Sequence, residues 1–313
     1  MKRKYAITGG AGFIGSSIAR ALLKHWYNEI VICDVGNPRN PYLDEMKLDG
    51  DRVTLMVADI RDLKALESAF VGVDGVFHCA AYSKIGDCIQ NPDLAVDVNV
   101  KGTLNVLLAA KKNGVRRVVY SASASVYGDL CSSKDFSGEH DRVQPMNIYG
   151  LSKYFGELLC GQFCERNGLD TVSLRYFNVF GSELAVDGRA PCPSVVEIFL
   201  KRKRDGQPLT ITNNGSQERD LVHVDAVAAA NLEAMRYRFP LDGAIFNIGT
   251  GKPHSIAEIA KMVGGPVVYV PKRYSEPKRM SGRITYAKGH FGFTPDLDAV
   301  PKFIAAMKEK YGI

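Results

Sequence analysis

The chain has no CxxC pair and no apolar run approaching the length of a membrane span. Its seven cysteines are odd in number and scattered, and Cys160 and Cys164 sit one helical turn apart without a histidine beside them. This pattern excludes a disulfide framework and a zinc-type cluster, so neutral, buried thiols are expected and no metal site. No internal repeat or low-complexity segment is present, which excludes solenoids and arrays. Met1-Lys2-Arg3-Lys4-Tyr5 leads into the chain without a signal-type apolar region, and a cytoplasmic location is the expectation. The formal net charge is +6, densest at Lys201-Arg202-Lys203-Arg204. With no aromatic interleaving and no recognised binding module beside it, that cluster reads as the solvated end of a helix beginning near Val195. Neither nucleic acid nor membrane is expected as a partner.

What is present points to a dinucleotide. Directly after the apolar stretch Tyr5-Ala6-Ile7 comes Thr8-Gly9-Gly10-Ala11-Gly12-Phe13-Ile14-Gly15. A strand running into a glycine-rich turn and then a helix brings backbone N–H groups and the positive helix end against a pyrophosphate. The helical spacing of Ser16–Lys24 and a second strand ending at Asp34 supply the context. Asp34 falls about 20 residues after the turn, where a carboxylate accepts hydrogen bonds from ribose hydroxyls and repels a 2′-phosphate, favouring NAD over NADP. Read alone, the glycines make a tight turn and Asp34 ends a strand.

At 313 residues the chain exceeds the usual size of a single core, so a large α/β domain with a smaller companion is expected. Strand-like segments at Tyr5–Thr8, Ile30–Cys33, Val53–Met56, Gly75–His78, Val118–Ser121 and Thr171–Arg175 alternate with helices, in the manner of a doubly wound parallel sheet. Glycines and prolines thicken from Gly181 to Pro208. The chain is then expected to return to the main sheet around Leu221–Asp225 and Ala244–Ile248, and to leave it after Gly249-Thr250-Gly251. This gives a cofactor domain over residues 1–178 and 217–249, and a discontinuous second α/β domain over 179–216 and 250–313.

Two segments carry chemistry. Tyr149 and Lys153 stand at i and i+4, on one face of a helix running through Leu159. A nearby ammonium stabilises tyrosinate, so the phenol is suited to take a proton from a substrate hydroxyl near neutral pH. Upstream, Val119–Gly128 is a strand whose carboxyl end carries alternate serines, Ser121, Ser123 and Ser125. Ligands bind outside the carboxyl ends of strands in open α/β sheets, which places Ser123 against a reacting hydroxyl. A surface tyrosine beside a solvated lysine, and a polar turn, are the alternatives for the two segments taken singly.

Together with Val57–Asp62, His78-Cys79-Ala80-Ala81, Asn99–Thr103, Arg175–Gly181, Arg219–Asp225 and Phe246–Gly251, these motifs make the chain resemble, over nearly its whole length, an extended short-chain dehydrogenase/reductase of the nucleotide-sugar epimerase type. The resemblance implies a Rossmann-type domain with a smaller, discontinuous α/β substrate-binding domain. It implies NAD contacts from Gly9, Gly12, Phe13, Ile14, Gly15, Asp34, Asp59, Ile60, Ala80, Ala81, Asn99, Ser121 and Tyr176, with Tyr149 and Lys153 serving cofactor and catalysis alike. Ser123, Tyr149 and Lys153 match the catalytic triad. Asn178, Arg219 and Arg273 match residues that hold a nucleotide diphosphate, where arginines give forked, charge-assisted hydrogen bonds. Glu276 matches an acid that binds a ribose. A homodimer through helices near Asp93–Lys112 and Tyr149–Glu165 is implied as well, and Leu104, Leu107, Leu108, Leu158, Leu159 and Phe163 show helical apolar spacing there.

In dehydratases and decarboxylating relatives, the residue before the Val-Tyr-Gly triplet is typically glutamate. Here it is Ser125, which favours C4 epimerisation of a nucleotide sugar over dehydration. A net oxidoreductase and a non-catalytic dinucleotide sensor are the other readings. Thr212 stands where many relatives carry an aromatic that stacks on uracil, so UDP is less firmly indicated than the diphosphate. Met280 falls near the position that screens the sugar's C2 substituent. Lys84 and Arg283 bring extra cations to the sugar side, to meet a uronate carboxylate or to remain solvated.

Overall fold

The apolar stretch before the glycine-rich turn forms a strand, β1 (Arg3–Thr8), with Tyr5, Ala6 and Ile7 in the core. The computed structural model describes residues 3–36, 41–45, 51–129, 137–190, 193–271 and 277–313. After β1 come α1 (Phe13–Leu23), β2 (Asn28–Asp34), α2 (Pro41–Glu45), β3 (Val53–Val57), α3 (Leu63–Ala69) and β4 (Gly75–His78). Next are α4 (Ile85–Gln90), α5 (Pro92–Val96), a π-helical turn (Asp97–Lys101), α6 (Gly102–Lys112), β5 (Arg117–Ser123), a 3-10 turn (Ala124–Val126), α7 (Ile148–Asn167) and β6 (Asp170–Tyr176). The chain continues through β7 (Asn178–Phe180), α8 (Glu183–Val186), α9 (Val195–Arg204), β8 (Leu209–Thr212), β9 (Glu218–His223), α10 (Val224–Arg236) and β10 (Ile245–Ile248). It ends with β11 (Pro253–Ser255), α11 (Ile256–Val263), β12 (Val267–Val270), β13 (Arg279–Met280), α12 (Thr285–Phe291) and α13 (Ala299–Tyr311).

All six strands expected in the first half join one seven-stranded sheet, ordered β10-β6-β5-β4-β1-β2-β3. β1 pairs parallel with β2 on one side and β4 on the other, and β2–β3 and β4–β5 are parallel too. The strand order reverses between β1 and β4, so their carboxyl ends open the crevice where an α/β sheet binds ligands. This is the doubly wound α/β fold expected from the alternation of strands and helices. Ala6, Val31, Val76, Val118 and Tyr120 pack against Leu66, Val106, Leu107 and Phe163 from α3, α6 and α7.

Return of residues 221–225 to that sheet does not occur. β9 instead pairs with β7 and β13 in parallel and with β11 antiparallel, in a separate four-stranded sheet. A buried strand has the same apolar character in either sheet, and its partners come from distant segments. Only β10 returns, beside β6. The chain divides into two compact units, one of Met1–Val126, Asn147–Arg175 and Ala228–Phe246, the other of Tyr127–Met146, Tyr176–Val227 and Asn247–Ile313. The second has its own core, built from residues such as Phe180, Phe199, Leu221, Ile259 and Ile304.

The basic cluster lies at the end of α9, which Ser194 and Glu197 open with a capping box. Lys201 pairs with Asp205, Arg204 with Asp187 at 3.1 Å, and Lys203 Nζ donates to the Val263 carbonyl at the end of α11. Much of its charge therefore serves its own unit. Cys160 is buried, and burial pushes its thiol up to about 12. Among the described residues no helix is long and apolar enough to cross a membrane.

Candidate active site

At the end of β1 the backbone turns through Gly9, whose φ of +66° disfavours any L side chain. A Cβ there would stand 2.6 Å from Ala80 N, and one on Gly15 would collide with the Gly9 carbonyl. Glycine at both positions lets the turn, the β4 crossover and the start of α1 lie in direct contact. Gly12 is the N-cap of α1, with no side-chain cap and no acid in the first turn. The leading N–H groups, at Phe13, Ile14 and Gly15, thus present an anion site at the carboxyl end of the sheet. Phe13 also stacks on Tyr42, ring centroids 5.9 Å apart.

Asp34 ends β2, and its carboxylate accepts from Ala11 N at 3.0 Å and from Val35 N at 2.9 Å. It supports the glycine turn from beside, in addition to the ribose contact expected of it. Asp59 accepts from the Arg61 guanidinium at 2.6 Å, and that hydrogen bond holds its carboxyl below the usual range. Ile60 is buried, with its carbonyl taken by Asn105 Nδ2 at 3.0 Å. Ala80 N donates to Thr8 Oγ1 at 3.4 Å, and Ala81 beside it is half-buried. The glycine cradle, the uncapped helix start and the acid at the end of β2 fit an NAD. Asp34→Ala is expected to weaken NAD by about tenfold or more and to reduce its preference over NADP, because a charged acceptor is lost. Unchanged discrimination in titrations with both cofactors would place Asp34 away from the ribose.

Ser123 is the last residue of β5, and its Oγ accepts from Ser125 N at 3.2 Å in the 3-10 turn. That occupies an acceptor site and leaves the hydroxyl proton to be given to a ligand. Asn147 caps α7 by accepting from Gly150 N at 2.9 Å, which fixes the helix start just ahead of Tyr149. One turn on, Lys153 is buried, donates to the Ser121 carbonyl at 2.8 Å and sits over the Tyr120 ring at 5.0 Å. Burial pushes its ammonium down to about 8, so it remains mostly charged at neutral pH. Ser121 Oγ donates to Cys79 Sγ at 3.3 Å.

Asn99 lies inside the π-helical turn, a local widening common at functional sites. Its Oδ1 accepts from Tyr82 N at 2.7 Å, while Nδ2 donates to the Tyr82 carbonyl and to Ser152 Oγ, both at 3.0 Å. Ser152 Oγ in turn donates to the Tyr149 carbonyl at 2.8 Å. Asn99 therefore holds both the loop after β4 and the first turn of α7. Nothing in the sequence marks Ser152 beyond its place between Tyr149 and Lys153. Lys84, at the N-cap of α4, is exposed.

In the second unit, Tyr176 is buried, and Asn178 on β7 has a buried Oδ1 with no hydrogen-bond partner among the described residues. Such an orphan acceptor suits a ligand's donor. Arg219 is buried on β9, with Nη1 donating to the Glu218 carbonyl at 2.8 Å. Its neighbour Asp220 takes Thr250 N, Gly251 N and Gly282 N, tying β9 to two distant loops. Nothing local in the sequence distinguishes that anchor, because its partners lie 30 to 62 residues away. Thr212 and Met280 are half-buried and Arg283 is exposed. Arg273 and Glu276 lie outside the described residues.

Residues 5–249 match the family described as NAD dependent epimerase/dehydratase. A UDP-glucose 4-epimerase of Streptomyces lividans is 30% identical over 311 residues, covering 94% of this chain and 92% of that protein. Among solved structures, a UDP-N-acetylglucosamine 4-epimerase of Methanobrevibacter ruminantium in complex with UDP-N-acetylmuramic acid superposes with TM-score 0.88 at 27% identity, covering 99% of this chain and 98% of that one. A Thermus thermophilus UDP-glucose 4-epimerase in complex with NAD gives TM-score 0.83 at 27% identity, covering 97% and 99%. The cofactor is NAD, and the chain belongs to the NAD dependent epimerase/dehydratase family.

Proposed function

We propose that the protein interconverts the C4 epimers of a nucleotide sugar, with UDP-hexoses, UDP-N-acetylhexosamines and UDP-uronic acids as the substrate class. The observation that carries this reading is Ser125, a hydroxyl where a dehydratase needs an acid, beside Ser123 at the end of β5. NAD, which Gly9, Gly12, Gly15 and Asp34 would hold, would supply reversible hydride transfer at C4 of the sugar and be regenerated in each turnover. Tyr149 takes the proton of the 4-hydroxyl and later returns it. Ser123 holds the same oxygen through its hydroxyl. Lys153, fixed between the Ser121 carbonyl and the Tyr120 ring, supplies the positive charge that favours tyrosinate. Asn178, Arg219 and Arg273 bind the diphosphate, and Glu276 the ribose.

Proton removal at C5, the step that begins water loss, requires a base, and a serine hydroxyl does not serve as one at neutral pH. Incubation with a panel of these UDP-sugars, followed by chromatography and mass spectrometry, is expected to give products of unchanged mass with no net NADH. A product lighter by one water, or stoichiometric NADH, would overturn the reading.

The enzyme works as a homodimer through α6 and α7. Leu107 and Phe163, two of the residues with helical apolar spacing, are buried in their own unit's core, and Leu104 and Leu159 pack against it. The outward face is instead made by Leu108, Leu151, Phe155 and Leu158, the last 49% exposed. Leu151, Phe155 and Leu158 recur at helical spacing, which makes one continuous apolar stripe of a kind that marks an interaction surface. Light scattering at micromolar concentration is expected to give twice the 34.3 kDa of one chain. A monomer mass would refute the dimer.

A further inference from the structure

The mechanism makes no use of His78, yet this residue is fully buried at the carboxyl end of β4, where the strand order reverses. Its Nδ1 lies 2.7 Å from Thr8 Oγ1 and its Nε2 2.9 Å from Thr103 Oγ1. The directions of these bonds follow from the remaining partners. Thr103 Oγ1 gives its single proton to the Asn99 carbonyl at 2.6 Å, so toward His78 it accepts, and Nε2 must carry a hydrogen. With the ring's one proton held at Nε2, Nδ1 is bare and accepts from Thr8 Oγ1, which itself accepts from Ala80 N at 3.4 Å. The result is one directed chain, from Ala80 N–H through Thr8, His78 and Thr103 to the Asn99 carbonyl. The charged or titratable groups facing the ring are Lys153 from α7 and Tyr120 from β5, whose ring centroid is 5.5 Å away. Burial, with Lys153 adding to it, pushes the imidazole down to about 3.

The two ends of the chain are the two halves of the site. Thr8 immediately precedes Gly9, and Cys79 N donates to the Thr8 carbonyl at 3.0 Å, so β1 and the β4 crossover are fastened at the start of the NAD turn. Asn99 holds the Tyr82 loop and, through Ser152, the turn that carries Tyr149. We propose that His78, fixed as the Nε2–H tautomer, is a positioning residue that locks the glycine turn of the cofactor site to Asn99 and hence to the catalytic helix. A hydrogen on Nδ1, from protonation or the other tautomer, would take from the Thr8 hydroxyl the acceptor of its proton, and a hydrocarbon side chain would leave both hydroxyls short of a partner.

The test uses the full chain labelled with ¹⁵N in its six histidines, with His78 assigned by its loss in His78→Gln. The ring is expected to keep one proton, on Nε2, from pH 5 to pH 8. In calorimetric titrations, Thr103→Val, which keeps the side-chain volume and lies on α6 away from the glycine turn, is expected to bind NAD about tenfold more weakly than wild type. A purely structural hydrogen bond would lower the melting temperature without moving that affinity. A proton on Nδ1, titration of His78 within this range, or NAD affinity within twofold of wild type in Thr103→Val would each overturn the proposal. The tautomer, read in wild type, decides it should the variant fail to fold.

Discussion

Tyr149→Phe is expected to lower turnover by about 10²- to 10⁴-fold while leaving NAD affinity within a few-fold of wild type. The substitution removes one hydroxyl and no packing volume. Two contacts that place this turn of α7 do not use the phenol: Asn147 caps the helix through Gly150 N, and Ser152 bonds the backbone carbonyl of residue 149. Lys153 stays between the Ser121 carbonyl and the Tyr120 ring, still charged at neutral pH. What disappears is the group proposed to exchange a proton with the sugar's 4-hydroxyl. Turnover and NAD titration measured on the same preparation check both halves of the expectation. A variant with unchanged turnover would remove Tyr149 from the chemistry, and one that no longer binds NAD would make its role structural.

The elements carrying this site were legible in the sequence because their signals are local. A strand running into glycines, serines at a strand end and a Tyr/Lys pair at i and i+4 each occupy fewer than about ten residues, within reach of periodicity and turn chemistry. Partners drawn from distant segments were not legible. β9 reads as a buried strand whichever sheet it joins, and its place beside β7, β11 and β13 depends on pairings with segments before and after it. His78 illustrates the same limit at atomic scale. His78-Cys79-Ala80-Ala81 stands out as a motif, but the ring's role arises from Thr8 and Thr103, 70 and 25 residues away. Apolar spacing on α6 and α7 likewise identified both helices as amphipathic without telling Leu107, in the core, from Leu108, outside it. A helix packed on a sheet has a boundary between its two faces that spacing alone leaves uncertain by a residue.

One turn beyond Lys153 on α7 the largest effect on stability is expected. Glu157, one turn beyond Lys153 on α7, and Arg175 on β6 form a buried pair joined twice, Nε to Oε1 and Nη2 to Oε2, each at 2.8 Å. Burial raises the Glu157 carboxyl, and the guanidinium opposes that shift, which is the balance expected of a desolvated ion pair. Glu157→Ala leaves the Arg175 charge buried without this carboxylate, and is expected to cost about 3–5 kcal/mol in denaturant unfolding. It also takes from Lys153 one of the negative charges that oppose the effect of burial on its ammonium, so α7 loses both its anchor and part of its electrostatic support. Replacing both members with apolar residues of similar volume, as in Glu157→Leu with Arg175→Met, is expected to recover most of the stability, because no lone charge then remains. The cost of truncation is thus set by the charge left behind in the core, not by a net gain from the pair itself. Loss of less than about 1 kcal/mol in Glu157→Ala, or a double variant as unstable as the single one, would show that the buried charge is not what sets the cost.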